Sequence, residues 1–78
     1  MARIGKGSVI QNSVTIGEMD GLHKCPNIGK NVFIGCHATI LGDIRIGDNV
    51  KIGAGAVVIH DVPDNCTVVG VPAKVVVK

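Results

Sequence analysis

The chain has 78 residues, a formal net charge of +2 at pH 7, a single aromatic residue (Phe33) and three cysteines. That length allows one small domain, and the odd thiol count (Cys25, Cys36, Cys66) without a C-x-x-C spacing argues for reduced cysteines in a cytoplasmic protein rather than a disulfide framework. No apolar run is long enough to span a membrane and no secretory signal opens the chain. Nucleic acid is excluded as a partner by the lack of basic runs and stacking aromatics, which leaves lysines that folding could gather around a phosphorylated ligand.

Aliphatic residues recur every six positions from the start: Ile4, Ile10 and Ile16, then Ile28, Ile34, Ile40, Ile46, Ile52 and Val58. Four residues after each comes a small or apolar one (Ser8, Val14, Val32, Ala38, Ile44, Val50, Ala56, Val62). Three residues after come Gly7, Ser13, Asn31, His37, Asp43, Asn49, Gly55 and Asp61, mostly types that tolerate a left-handed backbone. A period of six fits neither an amphipathic helix nor a plain alternating strand. Each hexad reads as a short strand plus a corner, and three hexads close one triangular coil of a parallel solenoid. The inward columns predicted by this phase are Ile4/Ile28/Ile46, Ile10/Ile34/Ile52 and Ile16/Ile40/Val58.

The pattern fails once. Leu22 is in phase, but Met19, Asp20, Cys25 and Pro26 do not suit the corner and small-residue slots. The sequence therefore predicts an excursion from Glu18 to Pro26 that returns at Asn27, on a scaffold of about three coils. Hexads are expected over 1–62. Pro63-Asp64-Asn65 then turns the chain into a capping segment, 63–78, that folds back over the last coil and covers an open edge.

Several stretches carry a family likeness: Asn12–Gly17, the re-entry Cys25-Pro26-Asn27-Ile28-Gly29, Ile52–Val58 with Asp61-Val62-Pro63, and Val69-Gly70-Val71-Pro72-Ala73-Lys74. They resemble the hexapeptide-repeat acyltransferases, most closely the C-terminal part of serine O-acetyltransferase and its capsule-sugar relatives. The resemblance implies a single-stranded left-handed parallel β-helix working as a homotrimer. The implied activity is acetyl transfer from acetyl-CoA to a serine or sugar hydroxyl, with no metal. The family's catalytic His and its orienting Asp lie in coils upstream of the matched part. That implies a truncated portion of such an enzyme, with a catalytically silent scaffold as the alternative. The second family His, at the loop re-entry, aligns with Cys25.

Hydroxyl acetylation needs a general base, and the histidines are the natural candidates. His23 lies in the excursion, where loops on a rigid scaffold concentrate chemistry, and is the catalytic candidate. His37 and His60 occupy corner positions that histidine can fill for backbone reasons alone. In the family, the coenzyme lies along a groove between neighbouring β-helices, with its pantetheine arm against small corner residues. The resemblance carries this role onto Cys36, His37, Gly53, Ala54 and Gly55, with Lys51, Lys74 and Lys78 as point charges for the phosphates. His23-x-Cys25 supplies too few ligands for a zinc site.

Overall fold

In the computed structural model, residues 3–17 and 25–77 are described. They form eleven short strands and no helix: β1 (Arg3–Ile4), β2 (Val9–Ile10), β3 (Thr15–Gly17), β4 (Asn27–Ile28), β5 (Phe33–Ile34), β6 (Thr39–Leu41), β7 (Arg45–Ile46), β8 (Lys51–Ile52), β9 (Val57–Val58), β10 (Thr67–Val69) and β11 (Lys74–Val77). Through β9 every third strand pairs in parallel; β10 then adds in parallel to β8 and β11 antiparallel to β10, which gives three faces: β1-β4-β7, β2-β5-β8-β10-β11 and β3-β6-β9. The register is that of the predicted columns, with Ile4↔Ile28↔Ile46, Ile10↔Ile34↔Ile52 and Ile16↔Ile40↔Val58. Within a strand the second residue points inward and the first outward, so each hexad contributes its aliphatic residue to one continuous core. Burial follows the stacking. Ile34, Ile40 and Ile52 are wholly buried, whereas Ile4 and Ile10, with no coil above them, remain 45% and 40% exposed.

The pairing also decides how the interruption is built. Ile4 and Ile28 are 24 residues apart where the next coil takes 18, so an in-phase coil through Leu22 is ruled out. The extra residues enter between Gly17 and the return. The strand resumes at Asn27, and just before it the carbonyl of the buried Pro26 accepts the Arg3 N–H at 3.2 Å.

Two corners behave as the hexads predict. At the first corner, between the first and second faces, Gly7, Asn31 and Asn49 have φ of 80°, 57° and 59°; at the second, Ser13, His37 and Gly55 have 60°, 61° and 72°. The third corner differs. Gly42, at φ 97°, takes the left-handed conformation in place of Asp43, and Asp61 does not adopt it at all. Here the chain is shortened: Val62 bridges Ile46 after only 16 residues. The stack therefore continues past Val62, where the spacing alone suggests it ends. Asn65 (φ 61°) repeats the first corner, and Val68 lies over Ile52. β11 runs antiparallel along the edge of β10, and the Ala73 N–H donates to the Val57 carbonyl at 2.8 Å, closing off β9.

At the first corner the asparagines form a ladder, with Asn49 Nδ2 donating to Asn65 Oδ1 at 3.2 Å. Asn tolerates positive φ at modest cost and Gly at none, whereas Ala does neither. Asn49→Ala should therefore lose about 1 kcal/mol and Asn49→Gly much less, read from urea unfolding. Equal losses would show that the side-chain bond, not the backbone, sets the preference.

Candidate functional site

The second corner brings five of the sequence-predicted residues into one ridge along the solenoid axis. The His37 N–H donates to the Asn12 carbonyl at 3.0 Å, and the Gly55 N–H to the Cys36 carbonyl at 2.9 Å. These bonds stack Asn12-Ser13, Cys36-His37 and Ala54-Gly55 on successive coils. Each level is a tight turn, closed by Ala38 N–H to the Gly35 carbonyl (3.3 Å) and Ala56 N–H to the Gly53 carbonyl (3.2 Å). His37, Ala54 and Gly55 are exposed and Cys36 is half-buried. A Cβ added to Gly55 would meet nothing within 4 Å, so the ridge is low and open.

Comparison with the first corner shows what is special here. There, the amide at the position equivalent to Cys36 is Lys30, and its N–H donates to Asp48 Oδ1 at 2.8 Å; one coil further on, the Asp48 N–H donates to Asp64 Oδ1 at 2.7 Å. At the second corner Ala54 stands where Asp48 stands at the first, and Gly70 where Asp64 stands, so no carboxylate caps either amide. Among the described residues the Cys36 and Ala54 N–H groups have no partner. Two unpaired donors on an exposed ridge of small residues are a ready seat for an extended, carbonyl-bearing chain.

The two lysines flank this ridge on the second face. Lys51 is exposed in register with Phe33 and Thr67, two residues before Gly53. Lys74 pairs with Val69, whose Cγ1 lies 2.8 Å from where a Cβ on Gly53 would sit. Lys78 and His23 lie outside the described residues. At the third corner, the Gly42 N–H donates to the Gly17 carbonyl at 3.1 Å, beside the point where the excursion leaves. Asp61 Oδ1 accepts the Arg45 N–H at 2.9 Å on the same edge, next to an exposed His60. Cys25 is half-buried and its thiol is free, as are those of Cys36 and Cys66. No group of three His, Cys, Asp or Glu among the described residues could hold a metal ion. No helix among them is long and apolar enough to cross a membrane.

Residues 26–60 match the family model for the bacterial transferase hexapeptide (six repeats). Over 84 residues the chain is 45% identical to a serine acetyltransferase of Buchnera aphidicola from Schizaphis graminum; the match covers 96% of the chain and 32% of that enzyme. It is 47% identical over 72 residues to the putative colanic acid biosynthesis acetyltransferase WcaB of Escherichia coli K12, covering 91% of the chain and 44% of WcaB. A crystal structure of the Brucella abortus serine acetyltransferase in complex with coenzyme A superposes with a TM-score of 0.83 at 33% identity. That match covers 99% of this chain and 40% of the other, and it makes the winding left-handed. The chain thus spans about a third of the length of the curated serine acetyltransferases it matches.

Proposed function

This chain is a hexapeptide-repeat left-handed β-helix of the acyltransferase superfamily, and from that premise we propose that it is the coenzyme-binding part of an acetyl-CoA-dependent O-acetyltransferase. The observation that carries the reading is the pair of unpartnered amides, Cys36 and Ala54, on the open second corner. The pantetheine arm is an extended chain with two amide carbonyls, which such donors would hold at spacings of one coil, about 4.8 Å. Lys51 and Lys74 would meet the phosphates from the neighbouring face, as point charges on flexible stems. The acceptor is a small hydroxyl, serine before a sugar, because serine acetyltransferases match over more of this chain than the colanic acid enzyme.

A homotrimer completes the proposal. The third face turns Val57, Leu41 and Ile59 outward, a set of apolar groups that a neighbouring copy would cover. The closed cyclic assembly would put the second corner of one protomer in a groove against the next. His23 is assigned as the base that takes the acceptor proton. We place the protein in the cytoplasm, where its three free thiols would stay reduced.

The test is titration of the purified chain with acetyl-CoA by calorimetry, followed by transfer assays with serine. Saturable binding at one site per chain is expected, and its absence would leave a structural scaffold in place of the enzyme. Ala54→Asn is the informative variant. It puts an acceptor where Asp48 sits on the first corner, so the Cys36 amide gains an internal partner. Affinity should fall about tenfold, the worth of one such hydrogen bond, while stability holds or rises. An unchanged affinity in a folded variant would remove the corner from the site. Retained binding with lost transfer in His23→Asn would support the base assignment, and full transfer would refute it.

A further inference from the structure

The first face carries a second arrangement that neither the repeat nor the coenzyme reading uses. Arg3, Asn27 and Arg45 open β1, β4 and β7, and they are paired in register across the face. Each precedes an inward isoleucine, so all three project outward, and all three are exposed. Adjacent strands lie about 4.8 Å apart, which anchors the two arginines roughly 10 Å from one another with the Asn27 amide between them. Beside this row runs a column of glycines. A Cβ on Gly5, Gly29 or Gly47 would come within 2.8 Å of the backbone of the next coil, so the column can carry no side chains. The result is a trough of about 670 Å³, walled on the corner side by Lys30, Asp48 and Asp64.

We propose that this trough binds an elongated small-molecule anion of the oligophosphate class, with its charged groups spread along the Arg3–Asn27–Arg45 row. Three cationic side chains line it against two carboxylates. Those carboxylates are committed to the backbone, Asp48 to the Lys30 N–H and Asp64 to the Asp48 N–H. Among the described residues, the side chains of Arg3, Asn27, Lys30 and Arg45 make no hydrogen bond; the Asp61 carboxylate beside Arg45 takes the Arg45 backbone N–H. The guanidinium forks are therefore open for bidentate contact with phosphoryl oxygens. A single phosphate can satisfy one fork; a chain of linked phosphates can reach both. The carboxylates at the corner repel an anion from that side and hold it along the arginine row. The coenzyme ridge lies at a different corner, and Lys51 and Lys74 do not line this trough.

The experiment titrates the purified chain with tripolyphosphate and, separately, with inorganic phosphate. Calorimetry and amide NMR shifts at Gly29 and Gly47 provide the readouts. Tripolyphosphate should bind once per chain, about tenfold or more tighter than phosphate, and weaken as ionic strength rises. Arg3→Gln and Arg45→Gln should each weaken it about tenfold. Both sites are exposed, so the fold should survive, which the NMR spectrum reports directly. The Lys51→Gln/Lys74→Gln double variant and saturating coenzyme A should leave the affinity as it was. Equal affinity for the two anions, or unchanged binding in both arginine variants, would overturn the proposal. So would displacement by coenzyme A, which would move the anion to the second corner without touching the acetyltransferase reading.

Discussion

Ile34→Ala is expected to destabilise the protein by about 3–5 kcal/mol. Ile34 is wholly buried and stacked between Ile10 and Ile52, so truncation opens a void bounded above and below by other coils. Strands of two residues hydrogen-bonded on both sides have little freedom to collapse into it. A chain of this size is expected to hold roughly 4–12 kcal/mol in total, so the variant should sit near or past the edge of folding. Ile10→Ala is the internal control. It removes the same atoms from the same column, but from a side chain 40% exposed at the open end, and about 1 kcal/mol should suffice. Urea unfolding at fixed protein concentration measures both. Matching losses at positions 10 and 34 would mean that the column is not the source of stability.

Gly35→Ala comes next, at about 3 kcal/mol, and for a different reason. The backbone at Gly35 is one that any residue could adopt. What forbids a side chain is the next coil: a Cβ would lie 2.6 Å from the Ala54 nitrogen and 2.9 Å from its Cα. Those are backbone atoms fixed by the solenoid, so neither partner can swing aside. Gly55, on the same ridge, presents the opposite case, with open space around it but φ of 72°. Gly55→Ala should therefore lose only about 1–2 kcal/mol, the left-handed penalty of an ordinary residue. Thermal or urea unfolding of the pair separates close approach from backbone strain, and a larger loss at Gly55 would reverse the argument.

Much of this architecture is legible in the sequence because a six-residue period has one economical reading. The three inward columns, the position of the interruption and the corners at Asn31, His37, Asn49 and Gly55 all follow from counting. Counting fails where residues are dropped. After Val58 a strict hexad puts the next inward residue at Asp64, whereas the shortened third corner brings Val62 into the column and carries the stack on to Val68. Nothing in the composition of Ile59-His60-Asp61 announces a tighter turn. The small-residue ridge at the second corner could be picked out from the sequence, but its two unpaired amides could not. They emerge only when Ala54 is set against Asp48, the equivalent residue whose carboxylate closes the other corner. The arginine row follows from the same counting, since Arg3, Asn27 and Arg45 each precede a member of the Ile4/Ile28/Ile46 column; the trough beside it emerges only in the structure.

The last coil of the solenoid is closed by β11 and residues 70–73. Because each coil touches only its neighbours, duplicating an 18-residue unit between Ile28 and Ile46 would insert a level without disturbing either terminus. Both the corner ridge and the arginine row would then lengthen in steps of about 4.8 Å. The reach of these two surfaces is thus a quantity that evolution can set by copy number, one coil at a time.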